Sequence, residues 1–291
     1  MTKITNLGLS ALIGSLAVAA PGFAEVYGGV GLSVSNVKVN DTGTDEGDAT
    51  HSEYSGFGGY RFSNGVFVEA DLLFSRRGGE SDEDSNDGLR SGDQFGLRFG
   101  HTTGALTYEA FGLIYDHENG DSEDDDEGST RGYGYGIGLS YQASETVTLG
   151  AMLGGLELES GERSDGGEGE DSLDSAVMVS FQGDFQIRPR FGATLRTDYV
   201  DGTVGDDDAD EKLDGYVVRL TGTYAATDRL DVFAFAQMEN WDQPQESDDF
   251  RERSVGLGVS YNFGPEAGRA SSRMDLPNAA QWSANVAGHL E

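Results

Sequence analysis

From about residue 26 to residue 263 the chain alternates between two kinds of side chain. In "SVGLGVSYNF" (254–263), Val255, Leu257, Val259, Tyr261 and Phe263 share one parity. Ser254, Gly256, Gly258, Ser260 and Asn262 share the other. Successive strand side chains point to opposite faces, so this pattern specifies a strand with one apolar and one small or polar face. Similar stretches of about ten or more residues fill the chain. Two kinds of connection join them in turn. The short ones are "SNG" (63–65), "TTGA" (102–105), "SET" (143–145), "RPR" (188–190) and "TDR" (227–229). The long, polar, acidic ones cover 40–53, 77–92, 117–130, 159–174, 201–214 and 242–252. The short turns recur roughly every 40 residues, so the repeating unit is a hairpin. A propeller blade has a similar length, but the chain carries no blade signature, and blades do not alternate tiny turns with acidic loops in this way.

The segments between connections predict twelve strands: 26–39, 53–62, 65–76, 90–102, 105–116, 131–142, 146–158, 175–187, 190–201, 214–226, 229–241 and 253–263. An even number of antiparallel strands, short turns at one end and long loops at the other, predicts an all-β, up-and-down barrel crossing a membrane. Val26, Gly28, Val30, Leu32 and Val34 share a face on the first strand; Tyr133, Tyr135, Ile137, Leu139 and Tyr141 share one on the sixth. These faces carry no charge through their middles, as a lipid-facing band requires. Alternation alone also fits a soluble sandwich. The aromatic positions argue against that reading. Tyr60, Phe62, Phe99, Tyr141, Phe185, Phe191, Tyr224, Tyr261 and Phe263 fall beside short turns. Tyr54, Phe74, Tyr133, Tyr199 and Tyr216 fall near the long loops. Two aromatic bands are what membrane interfaces select, although Tyr and Phe favour strands in any setting. The opposite faces are rich in Gly and Ser, too thin to pack between two sheets. In a barrel, inward glycines would leave lumen space and permit curvature.

The formal net charge of −33 would suit a disordered acidic chain, but 15 Phe, 12 Tyr and the alternation do not. Cysteine is absent, which removes thiolate catalysis and Cys-based metal sites. At the N-terminus, Lys3 precedes the apolar run "LGLSALIGSLAVAA" (7–20) and then "PGFAE". This reads as a signal peptide over 1–24, cleaved after Ala24; the run is short for a spanning helix. The expected domains are that signal, a barrel over 25–263, and a flexible periplasmic tail over 264–291. Within the tail, "LPNAAQWSANVAGHLE" could form a short helix with Trp282 and Val286 on one side. It could rest at the membrane interface, enter the lumen or stay disordered, and disorder is the default.

The signal segment, the twelve alternating strands, the acidic loops and the final "GLGVSYNF" together resemble the porins and porin-like barrels of the Gram-negative outer membrane. The resemblance covers essentially 25–263 and rests on pattern rather than fixed residues. It implies location in the outer membrane, contact with its lipids, and delivery by the outer-membrane insertion machinery. The aromatic-ended last strand resembles the signal that machinery reads. Here that strand is followed by 28 residues.

Parity assigns Arg61, Arg98, Arg196 and Arg219 to the lumen, with Glu69, Asp71, Glu109, Asp184, Asp198, Asp231 and Glu239. The eleventh strand is ambiguous, because Phe233 and Phe235 share the parity of Asp231. Charges in a wet lumen stay ionised, and opposed acidic and basic rows would set a transverse field that tunes selectivity. Alternatively, the charges pair and plug the barrel. Acidic loops such as "ESDEDSND" (80–87), "DSEDDDEG" (121–128) and "GDDDADEKLD" (205–214) would draw cations to the mouth. They could also hold divalent cations, though none has a calcium-loop spacing. No basic patch is present for nucleic acid, and no cofactor motif is read. The functional expectation is therefore a cation-preferring diffusion channel for ions and small polar solutes. The alternative is a structural or adhesion barrel acting through its loops. For a hydrolase, His117 in "YDHENG" is the only plausible general base among His51, His101, His117 and His289, and no serine has a nucleophile context. Oligomeric state is not legible.

Overall fold

The computed structural model describes residues 24–41, 47–79, 90–118, 129–159, 172–206, 209–242, 249–264, 273–280 and 282. The expected signal segment and the acidic runs at 80–87 and 121–128 lie outside these residues, as does His289.

Twelve strands form, in chain order: β1 (Ala24–Asp41), β2 (Gly47–Phe62), β3 (Val66–Gly79), β4 (Arg90–Thr103), β5 (Leu106–Glu118), β6 (Ser129–Ser144), β7 (Val147–Glu159), β8 (Ser172–Arg188), β9 (Phe191–Asp206), β10 (Ala209–Ala225), β11 (Leu230–Asp242) and β12 (Asp249–Phe263). Each pairs antiparallel with its chain neighbour, and β1 pairs with β12 to close the barrel. The closing ladder runs from Gly28 opposite Phe263 to Asp41 opposite Phe250. Closure leaves no unpaired sheet edge, which a lipid-exposed sheet could not tolerate.

The short turns fall where the sequence puts them. Gly65 and Gly104 take φ of +88° and +60°. At Gly65 a Cβ would also meet the Thr102 carbonyl oxygen at 2.2 Å, so glycine is required there twice over. His101 braces this end, with Nδ1 2.8 Å from the Tyr108 hydroxyl and Nε2 2.8 Å from the Asn64 carbonyl.

The long connections are shorter than expected, because the strands continue through their polar flanks. The segment 201–214 is the clearest correction. Its ladder persists from Asp201 opposite Asp214 to Asp206 opposite Ala209. His51, expected in a loop, lies within β2 opposite Ser35 and Arg77. Beyond the hydrocarbon no lipid face imposes alternation, while the backbone ladder can continue, so pairing outlasts the two-faced pattern.

The two faces sort cleanly. Ile137, Leu153, Phe181, Val255 and Leu257 stand more than half exposed on the outer face. So contiguous an apolar surface belongs in lipid rather than water. At its short-turn rim Phe62, Phe99, Tyr141, Phe185, Phe191, Tyr224 and Tyr261 are exposed, and Tyr60 and Phe263 are half-buried beside them. At the other rim Tyr54, Tyr133, Tyr199 and Tyr216 are exposed.

The inner face corrects the expectation of empty space above inward glycines. Several of those glycines are roofed by rings from neighbouring strands. A Cβ on Gly256 would meet the Phe235 ring at 2.4 Å, and one on Gly258 the Phe233 ring at 2.2 Å. This settles β11: both phenylalanines point inward with Asp231. Gly100 lies under Phe67, Gly132 under Tyr115 and Gly215 under Trp241 in the same way. Cross-strand covering of this kind recovers packing that a bare strand glycine forfeits.

Candidate functional site in the barrel lumen

The described residues beyond Gly264 depart from the expectation of a flexible periplasmic tail. The described segment, residues 273–280 and 282, is inside the barrel. Met274, Ala279, Ala280 and Trp282 are buried in one cluster with Phe111, Leu113, Tyr115, Leu156, Met178, Val200, Val217 and Trp241. The local sequence explains its shape. Pro277 favours extended backbone before it. Asn278 then opens a helical turn, in which the Trp282 N–H donates to the Asn278 carbonyl at 3.1 Å.

Contacts with β4 fix the direction of the segment. Leu276 fills the space above Gly96, Pro277 and Ala279 meet Gln94, and Ala280 sits on Gly92. Rising chain numbers in the segment meet falling numbers on β4, which begins at the long-loop end. The segment therefore climbs toward the long-loop end.

Two glutamines grip its backbone. Gln182 on β8 donates from Nε2 to the Arg273 carbonyl (3.1 Å) and accepts at Oε1 from the Asp275 N–H (3.4 Å). Gln94 on β4 donates to the Pro277 carbonyl (2.9 Å) and accepts from the Ala279 N–H (3.0 Å). Each amide thus engages a carbonyl and the N–H two residues on, as a neighbouring strand would. Arg196 adds a bond from Nη1 to the Asp275 carbonyl at 2.6 Å.

All eleven charged residues assigned to the lumen stand on the inner face, but they do not form opposed rows. They interleave into local networks. Arg98, buried on β4, reaches Glu69 (3.5 Å), Asp71 (3.2 Å) and Glu109 (3.3 Å). Arg273 of the inserted segment joins the same acids, with Nε 2.6 Å from Glu69 and Nη2 on Asp71, and lies 4.3 Å from the centre of the Phe57 ring. Arg196 clasps Asp198 at 2.8–3.0 Å. Arg61 stands over the Tyr27 and Phe67 rings, and Arg219 lies 4.0 Å from the Phe235 ring centre. Glu239 accepts from Gln237 at 2.6 Å. Asp184 accepts from Thr194 (2.7 Å) and Gln182 (3.0 Å), and Asp231 from Asn262 (3.0 Å). Among the described residues neither of these two carboxylates touches a cation.

Beside the segment a cavity of about 360 Å³ remains. It reaches from Asp231 and Asn262, next to the short turns, up to Gln94, Val217 and Trp282. Six carboxylates (Glu53, Asp71, Asp184, Asp198, Asp231, Asp275) and three guanidiniums (Arg196, Arg219, Arg273) line it. A cavity with this excess of carboxylates attracts cations.

Sequence reasoning missed Gln94, Gln182 and the role of 273–282. One signal was readable: Gly92, Gly96 and Gly150 share the lumen parity, and these are where Ala280, Leu276 and Met274 lodge. His117 faces inward and is buried, with no hydrogen-bond partner on Nδ1 among the described residues, while its neighbour Asp116 takes the opposite face. Among the described residues no three His, Asp or Glu side chains group as metal ligands.

A closed antiparallel barrel with an apolar exterior and a charged interior is a transmembrane β-barrel of the outer-membrane type. Residues 7–166 match the family model described as outer membrane protein beta-barrel domain. That is more than half of the chain, and the chain belongs to this family. It is an outer-membrane protein. The fold is similar to an outer membrane channel from Pseudomonas putida F1, with TM-score 0.55 and 12% identity over 85% of this chain and 98% of that one. It is also similar to the translocator domain of the autotransporter NalP from Neisseria meningitidis, with TM-score 0.50 and 15% identity over 89% and 95%. At these identities the likeness is one of fold. Comparison with curated protein sequences finds no match.

Proposed function

We propose that the barrel is a passive channel for ions and small polar solutes, with a preference for cations. The observation that carries this reading is the lumen cavity, where carboxylates outnumber guanidiniums two to one and Asp184 and Asp231 have no cationic partner among the described residues. Rings of fixed carboxylate in a narrow wet passage favour cations and slow anions. Twelve strands enclose a bore between that of a filled eight-stranded barrel and an open sixteen-stranded porin. The cavity beside the inserted segment suits ions and small solutes rather than bulky ones.

The same reading assigns the chain no catalysis. His117 is buried, and Asp116 beside it faces the other way, so the pair lacks the arrangement of a general base and its orienting acid.

One observation favours a second reading. The inserted segment and the apolar cluster occupy the lumen toward the long-loop end, as they would in a structural or adhesion barrel acting through its loops. Purified protein in planar bilayers separates the two. The channel reading expects discrete conductance steps. A barrel that inserts, shown by anomalous migration before boiling, yet stays electrically silent would support the loop-acting reading.

A further inference from the structure

We propose that the inner faces of β2, β3, β4, β7, β8 and β9 form a binding site for an extended polypeptide, and that residues 273–282 occupy it as a detachable plug. The binding part stands on contacts alone. The plugging part rests on the channel reading above.

The wall reads this segment as a receptor reads a peptide. Backbone recognition comes from Gln182 and Gln94, whose paired bonds fall on residues 273/275 and 277/279, four residues apart. Side-chain recognition is equally divided. The Arg273 guanidinium enters a box made by Glu69, Asp71 and the Phe57 ring. Met274 lodges over Gly150, Leu276 over Gly96 and Ala280 over Gly92. Trp282 enters the apolar cluster. An extended peptide lying beside a sheet and filling pockets in its surface is a recognised docking mode; here glutamine amides replace the edge strand.

The wall does not need its occupant. The twelve-stranded ladder closes between β1 and β12, and no described residue of the segment belongs to it. The acids that hold Arg273 keep Arg98 as a partner within the wall. Gln94, Gln182 and Arg196 would face water in a vacated lumen, where such groups are readily satisfied. Departure exposes apolar wall residues, which favours the docked state without making it part of the sheet.

The test uses a chain ending at Phe263 and a labelled synthetic peptide, ASSRMDLPNAAQWSA, matching residues 270–284. Fluorescence anisotropy with the detergent-solubilised short barrel should show saturable binding. Gln94→Ala with Gln182→Ala in the barrel, or Arg273→Glu in the peptide, should each weaken it about tenfold or more. In bilayers the short barrel should conduct more than the full chain, and added peptide should return it to the full-chain level. Absent binding, or binding indifferent to these substitutions, overturns the site. Conductance unchanged by truncation and by peptide overturns the plug and leaves the channel reading intact. Binding without conductance in any form overturns the channel reading and leaves the site standing. Should the short chain not fold, Gly150→Cys with Met274→Cys in the full chain ties the segment to the wall, in a protein with no other cysteine. The oxidised form should then exclude the peptide and conduct less than the reduced form. Equal behaviour of the two forms overturns detachment.

Discussion

At the scale of single residues, the lumen is organised by a few side chains that meet several partners each. Arg98 is the centre of the acidic cluster, fully buried among Glu69, Asp71 and Glu109. Replacing it by Met leaves Glu69 and Asp71 with Arg273 alone and takes from Glu109 its guanidinium partner, and should cost about 3 kcal/mol, as breaking a buried pair does. Urea unfolding of the refolded barrel would read this as a lowered midpoint. Arg98→Lys should fall between, since an ammonium keeps the charge but not the planar fork. The glycines divide by face. Gly256 lies beneath Phe235, whereas Gly222 has nothing within 4 Å of a Cβ and faces outward. Gly256→Val should therefore cost about 1–3 kcal/mol by overpacking. Gly222→Val should be neutral or slightly stabilising, because it removes a flexible residue from a strand. The temperature at which the folded gel band disappears ranks the two variants.

At the scale of elements, β12 and the segment after it define where the barrel ends. The ladder between β1 and β12 is complete at Phe263. A chain truncated there is expected to keep its heat-modifiable folded form. If it loses that form, residues 273–282 are part of the barrel's fold. The strands were legible because lipid on one side and a polar lumen on the other impose strict alternation, so "SVGLGVSYNF" announces both its strand and its register. The polar extensions at 201–206 and 209–214 were not, because their acidic and glycine-rich composition reads as loop even where the ladder continues. Placement of the charged residues followed from parity alone. Their pairing did not: which acid meets Arg98 depends on stagger between strands that alternation leaves free. The inserted segment was hidden for a different reason. The partners that seat its backbone and small side chains are glycines and two glutamines, residues that read as filler until a chain lies across them.

At the scale of the whole molecule, an apolar exterior and a charged interior make position on the barrel wall decide the effect of a substitution. Leu257 stands on the lipid face, and Leu257→Arg should destabilise by about 2–4 kcal/mol near the bilayer midplane. Equilibrium refolding into vesicles measures that cost. Under the proposed channel function, the interior sets what passes. The most direct test of the account is the reversal potential of single channels across a KCl gradient, for the native chain and for Asp184→Asn with Asp231→Asn. The account predicts potassium over chloride in the native channel and a clear loss of that preference in the double variant. Chloride preference in the native channel, or selectivity untouched by both substitutions, would contradict it.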